Sequence, residues 1–183
     1  RMPVAPLDTH RYGYRLWLDR DSRLLLKSEV VDGSGVALER VEFVSIELAP
    51  GLTHADFALP EVISQSDLSS LPPSHEMQKL ALSAEWLPAG FETTGQDWRH
   101  AEDDRAPVAA QGYSDGLAAF TVFVEEVKDG SVEEGVSRVG PTVAVSRRLT
   151  APSGAYLVTL VGEIPQATAE RVIQSVRVQD ASH

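Results

Sequence analysis

Apolar and polar residues alternate in the first part of the chain, residues 12–48. From residue 12 to residue 19 apolar side chains recur at every second position, which predicts a β-strand. A second strand is predicted at residues 24–31 and a third from residue 36 to about residue 48. Residues 32–35 (DGSG) are the strongest hairpin signal in the sequence, because Asp and Gly tolerate positive φ. The pattern therefore predicts an antiparallel meander of three strands.

Residues 61–80 interrupt this pattern with a segment rich in Ser and Pro that has little periodicity. Pro72 and Pro73 fit neither the interior of a helix nor a central strand, because proline lacks the N–H that both structures use. We interpret the segment as a linker. It divides the chain into a first domain at residues 1–60, the linker at residues 61–80 and a second domain at residues 81–183.

The last section alternates strand patterns with polar loops, which are predicted at residues 99–107 and 127–140. Strand patterns lie at residues 91–98, 108–113, 117–125, 143–149 and 155–163. After Pro165 a single apolar stripe predicts a helix, with Ala169, Val172, Ile173 and Val176 at positions i, i+3, i+4 and i+7. The section is predicted to be a small antiparallel sheet with a packed C-terminal helix, which makes the whole chain a β-rich α+β protein.

Ser114 and Asp115 (YSDG) raise the question of a nucleophilic serine beside a carboxylate. The following strand has apolar residues on both faces, with Phe120 in its middle, so we expect a central strand covered on both sides. The nearest histidine in sequence is His100, across a charged loop. We therefore predict that Ser114 and Asp115 form a turn that hydrogen-bonds the local backbone, and that Phe120 is core.

Charge, composition and motif spacing reduce the number of function classes that fit this chain. The net charge of −11 and the lack of a basic run disfavour binding to nucleic acid. Cysteine is absent, which excludes thiol catalysis, thiolate metal sites and disulfides. His75-Glu76 begins like a zinc motif, but Lys79 stands where the second histidine is needed. We predict no enzyme, no catalytic residue, no metal site and no cofactor.

Two features of the sequence concern membrane spans and targeting segments. No apolar run reaches the roughly 20 residues of a membrane-spanning helix. The N-terminal residues lack the apolar core of a signal peptide and lead directly into the first strand pattern. We therefore expect the sequence to be a fragment, or a protein whose front end is missing.

Several stretches resemble the MucB/RseB family in the same order. Residues 11–43 (RYGYRLWLDRDSRLLLKSEVVDGSGVALERVEF) resemble the end of its N-terminal domain. WLPAGF, YSDGLAAFTVFVE, VGPTVAVSRRL and VTLVGEIPQATAERVIQSV resemble its C-terminal domain. One departure is Arg23, where a glycine is expected in the turn between the first two strands.

The resemblance implies a periplasmic negative regulator of sigma-factor activity. It implies binding to the periplasmic region of a membrane-spanning anti-sigma factor, which is thereby protected from regulated proteolysis, and release by lipid signals such as lipopolysaccharide. It also implies that the first domain is the end of a lipoprotein-carrier-like fold, part of an open β-barrel with an apolar cavity. The alternative is a periplasmic carrier of lipid or lipoproteins, and homo-oligomerisation is left open.

The candidate partner-binding residues are Arg147 and Arg148. They are adjacent in a strand pattern, so we expect their side chains on opposite faces, with at least one in solvent. On so acidic a chain, that cation could dock an acidic or lipid-phosphate group. The alternative is an ordinary surface arginine that pairs with Glu125 or Glu126. The edge strands of the second domain are a template for a strand added by the partner.

Overall fold

The computed structural model describes residues 1–48, 51–58, 80–99, 108–127, 133–152 and 154–180. The strands are β1 Met2–Val4, β2 Gly13–Leu18, β3 Leu25–Val31, β4 Ala37–Glu42, β5 Leu80–Ala84, β6 Glu92–Arg99, β7 Val108–Ser114, β8 Ala119–Glu126, β9 Gly135–Val139, β10 Thr142–Ala151, β11 Gly154–Gly162 and β12 Val176–Asp180. A 3-10 turn spans His54–Phe57 and the helix α1 spans Gln166–Ser175. No helix of the described residues is long and apolar enough to cross a membrane. The predicted linker lies outside these residues, except for Leu80, which begins β5.

The first four strands form an open antiparallel sheet in the order β1-β2-β3-β4. The predicted meander is confirmed, although the third predicted strand ends at Glu42 and not near residue 48. The predicted hairpin is also confirmed, since Asp32 Oδ1 accepts hydrogen bonds from the backbone N–H groups of Ser34 and Val36, both at 2.9 Å. The sequence did not indicate β1, because three residues containing a proline are too short for a period of two to show.

A sheet of six strands in the order β6-β7-β8-β11-β10-β9 forms the second section. The helix α1 packs on β10 and β11. The β5–β12 pair lies on the same face, because buried Val178 and half-buried Leu82 join the core cluster with the helix. The core contains Phe91, Tyr113, Phe120, Val122, Val124, Val143, Val158, Leu160, Ile164, Val172, Ile173 and Val176 among others. The predicted antiparallel sheet with a packed helix is therefore confirmed.

The strand β8 is central, between β7 and β11, as predicted. Phe120, Val122 and Val124 are buried against the helix layer, which confirms Phe120 as core. The expectation of cover on both sides is wrong, since Thr121 and Phe123 on the other face are only half-buried. The helix layer packs on the more apolar face of the sheet, so the face that carries Thr121 is less covered.

Two predicted boundaries in this section are wrong. The helix ends at Ser175, and Val176 is buried as the first residue of β12, not as the last position of the helical stripe. The predicted loop at residues 127–140 contains β9, whose side chains are all exposed. A strand with no buried side chain carries no alternation signal, so its conformation depends on pairing with β10.

Candidate interaction site

The two candidate arginines lie side by side in β10, with their side chains on opposite faces as predicted. Arg147 is opposite Val158, which is fully buried, whereas Arg148 is opposite half-buried Leu157. Arg148 is exposed and Arg147 is half-buried. The Nε atom of Arg147 is buried and has no hydrogen-bond partner among the described residues. The exposed cation of this pair is therefore Arg148.

Glu134 lies beside these arginines, immediately before β9. Its carboxylate accepts a hydrogen bond from the backbone N–H of Arg148 at 2.5 Å. Leu157 pairs with Arg148 on one side and with Glu125 on the other, so Glu125 shares this face two strands away. Within the part of the chain that the structure describes, neither arginine forms the alternative ion pair with Glu125 or Glu126.

The six-stranded sheet has β6 at one end and β9 at the other. The β6–β7 pairing is irregular between Thr93 and Gly95, which twists that edge. The β9–β10 pairing has no such irregularity, and Val136 and Val139 of β9 are 48% and 79% exposed. A regular edge strand with exposed apolar side chains is a suitable template for an added strand.

Ser114 and Asp115 form the turn that the sequence predicts between β7 and β8. The Ser114 hydroxyl donates to the carbonyl of Ala118 at 3.0 Å and accepts the N–H of Gly116 at 2.9 Å. Asp115 Oδ1 accepts the N–H groups of Leu117 and Ala118 at 2.9 and 2.7 Å. Gly116 has a φ of 91°, a conformation that favours glycine.

The structure adds a contact that the sequence did not indicate, centred on Arg11 in the loop between β1 and β2. Its guanidinium donates to both oxygens of Asp8, at 3.2 and 2.9 Å, and to the carbonyl of Ala89 at 2.6 Å. It also pairs with Oδ2 of Asp115 and lies 5.3 Å from the ring centre of Phe91. These contacts reach three residues of the second section, namely Ala89, Phe91 and Asp115. The loop between β1 and β2 therefore packs against the second section.

These charges lower the pKa values of both carboxyl groups. The hydrogen bond from Arg11 is the main cause of the lowered pKa of Asp8. Burial alone would raise the pKa of Asp115, but the N–H groups of Ala118 and Leu117 and the charge of Arg11 together lower it. A carboxyl with a lowered pKa in the folded state stabilises the fold above its unfolded pKa of about 3.9 and loses that contribution in acid. The network is therefore fully ionised at neutral pH.

Beside Arg11, His10 makes a second contact between the sections. Its Nδ1 lies 3.2 Å from the hydroxyl of Thr168, a buried residue in the first turn of α1. The His10 ring meets the ring of Trp86 edge-on, with 5.2 Å between centroids. The guanidinium carbon of Arg171 lies 3.8 Å from the centre of the same indole.

One face of the four-stranded sheet carries an excess of cations. Buried Glu29 accepts ion pairs from Arg15, Lys27 and Arg40 at 3.4, 3.0 and 3.0 Å. The Lys27 ammonium also lies 4.3 Å from the ring centre of Trp17. A cleft of about 430 Å³ adjoins this face and is lined by Trp17, Leu26, Lys27, Glu42, Phe43, Val44, Ser45 and Ile46. The cleft combines apolar walls with one cation, Lys27, and one carboxylate, Glu42.

The fold and these surfaces describe a β-rich protein with two sections and exposed docking edges. Residues 1–72 match the family model of the MucB/RseB N-terminal domain, and residues 76–177 match that of the MucB/RseB C-terminal domain. The chain belongs to the MucB/RseB family.

Relatives and solved structures agree with this assignment. The sigma factor AlgU regulatory protein MucB of Pseudomonas aeruginosa is 39% identical over 181 residues, which are 99% of this chain and 56% of that protein. The sigma-E factor regulatory protein RseB of Escherichia coli K12 is 27% identical over 95% of this chain and 53% of that protein. The chain thus spans a little over half the length of these relatives.

A crystal structure of MucB in complex with MucA(peri) matches with a TM-score of 0.80 at 37% identity, over 98% of this chain and 61% of that one. A crystal structure of MucB matches with a TM-score of 0.64 at 34% identity, over 95% of this chain and 55% of that one.

Proposed function

We propose that this chain is part of a periplasmic negative regulator of sigma-factor activity, which binds the periplasmic region of a membrane-spanning anti-sigma factor and shields it from regulated proteolysis. The observation that carries the proposal is the agreement of nearly the whole chain with MucB in its complex with MucA(peri). The proposed division into residues 1–60, a linker at 61–80 and residues 81–183 belongs to the same interpretation.

The structure suggests how such a partner is held and shielded. An extended segment of the anti-sigma factor adds to the β9 edge, with Val136 and Val139 as apolar anchors and Arg148 as a nearby cation. Proteases bind their substrates as extended chains through free backbone groups. A segment whose backbone groups are already paired with β9 is withheld from them.

Binding through the edge makes a specific prediction for salt and for substitutions. We expect the affinity for MucA(peri) to fall by less than about threefold between low and high salt, because backbone pairing and apolar contact are screened little. Val136→Lys should lower the affinity at least about tenfold, because a charge on an edge strand opposes strand addition. Arg147→Ala and Arg148→Ala should have small effects. Isothermal titration calorimetry measures all of these.

Leu24→Lys is the matched control, because Leu24 is 43% exposed and lies in the loop between β2 and β3 of the other sheet. A steep loss of affinity in salt, reproduced at low salt by Arg147→Ala or Arg148→Ala, would instead show that charge carries the complex. Failure of the unaltered chain to bind MucA(peri) would contradict the proposed function.

A second proposed activity, the sensing of lipid, is favoured by the cleft beside Trp17. Its apolar walls suit an acyl chain. We expect Trp17→Ala to weaken binding of lipopolysaccharide by about tenfold, because one buried aromatic side chain contributes on the order of 1.5–3 kcal/mol. Phe57→Ala, an exposed aromatic outside the cleft, serves as the control. Equal binding by both variants would exclude this cleft as the lipid site.

A further inference from the structure

We propose that Arg11 is a latch that holds the four-stranded sheet against the six-stranded sheet, and that the latched arrangement is the one that binds the anti-sigma segment. The first half of the proposal concerns the free protein alone. The second half rests on the proposed function.

The geometry of Arg11 is suited to joining two bodies. Asp8 lies in the same loop and binds the guanidinium through both of its oxygens, which fixes the orientation of the fork. The remaining contacts, to Asp115 and to the carbonyl of Ala89, reach two different turns of the second section. The Arg11 side chain is only 20% exposed, and its guanidinium also covers the ring of Phe91. A planar fork with several donors can satisfy these partners together, whereas a lysine ammonium cannot match them all.

Asp115 is oriented by hydrogen bonds within its own turn, as Arg11 is by Asp8. Its Oδ1 accepts two backbone N–H groups of its turn, which leaves Oδ2 aimed at Arg11. Its side chain is 8% exposed, so the charge is poorly hydrated and depends on the arginine. Without Arg11, the closed arrangement would bury this carboxylate with no cation, so removal of the arginine should favour separated sheets.

A further contact places the four-stranded sheet near the proposed docking edge. Gly140 forms the turn between β9 and β10, and a side chain added there would begin 3.3 Å from the carbonyl oxygen of Leu38 in β4. The end of β9 and the edge strand β4 therefore adjoin. A segment bound along β9 meets both sheets only while they are held together.

The solved relatives differ in their overall similarity to this chain. The TM-score is 0.80 for each of two complexes of MucB with MucA and 0.64 for a crystal structure of MucB, although the sequence identities are similar, at 37% and 34%.

The test measures the arrangement and the affinity separately. The chain has no native cysteine, so spin labels at Ser34→Cys and Gln174→Cys, both exposed, report the distance between the sheets by pulsed electron paramagnetic resonance. We expect one narrow distance distribution for the parent, a broad one for Arg11→Ala and an intermediate one for Arg11→Lys. In unlabelled chains, Arg11→Ala should lower the affinity for MucA(peri) at least about tenfold, which corresponds to about 1.4 kcal/mol.

Arg177→Ala is the matched control, because Arg177 pairs with Glu85 within the second section and should leave both measurements unchanged. Thermal unfolding of every variant separates loss of the latch from loss of the fold. If Arg11→Ala unfolds, Asp115→Asn, which keeps the turn's shape, replaces it.

An unchanged distance distribution in a folded latch variant would overturn the latch. A broad distribution with unchanged affinity would overturn its link to the partner. If the parent chain does not bind MucA(peri), the proposed function and the link to the partner both fail, while the distance measurement still decides the latch.

Discussion

Replacing Phe120 by alanine is expected to lower the free energy of unfolding by about 3–5 kcal/mol, the largest loss from any single truncation proposed for this chain. Phe120 is 2% exposed and stacks on Tyr113, with 5.0 Å between ring centroids. It also meets Phe91 at 5.3 Å. Removing its ring takes away buried apolar area and leaves a cavity beside the rings of Tyr113 and Phe91 on this face of the sheet. Chemical denaturation followed by circular dichroism measures the change.

Phe123→Ala provides the comparison within the same strand. Phe123 lies three residues further along β8, on the opposite face, and is half-buried. Its truncation should cost clearly less than that of Phe120. Equal losses would mean that the two faces of the sheet are packed alike, which would contradict the position of the helix layer on one face.

Adding one methyl group at Gly162 is expected to destabilise the fold by about 3 kcal/mol, at the upper end of what overpacking costs. A Cβ atom there would lie 2.3 Å from the Cβ of Phe120 and 2.6 Å from the carbonyl oxygen of Ala119. Neither atom belongs to a flexible side-chain end, so β8 or β11 must move, and these are the two central strands. Gly162→Ala should therefore lower the unfolding midpoint in the same denaturation experiment.

Gly135→Ala is the control for this substitution, because a Cβ at Gly135, in the edge strand β9, meets nothing within 4 Å. It should be close to neutral. A neutral Gly162→Ala would show that β8 and β11 lie further apart at this point than the structure places them.

Arg23 departs from the glycine that the family resemblance predicts, and its backbone conformation shows why glycine suits this position. Arg23 has a φ of 64°, and it is the one non-glycine residue with positive φ in the described chain. The family resemblance leads one to expect glycine there, which adopts this conformation without steric cost. Asp19 supports the turn by accepting the N–H of Ser22 at 2.8 Å. The departure thus changes a residue but preserves the turn.

The pattern of apolar and polar residues was sufficient to predict a strand or helix wherever that element has one clearly apolar face. The alternation in β2 and the run through β8 predicted strands close to their observed limits, and the apolar stripe after Pro165 predicted α1. The β1, β5, β9 and β12 strands were not predicted, because they are short or lack a buried face of alternating residues. The strands β1 and β9 depend on pairing with β2 and β10, whereas β5 and β12 pair with each other.

The sequence by itself determined the β-rich fold class, the opposite faces of Arg147 and Arg148, the turn at Ser114 and the family. These depend on neighbours in the chain, through side-chain period, turn chemistry and order of stretches. Only the tertiary structure decided that Arg11 meets Asp115, 104 positions away. It also decided which strands are edges. An ion pair between distant loops leaves no periodic trace in sequence, because its geometry exists only after two separately formed sheets have packed together.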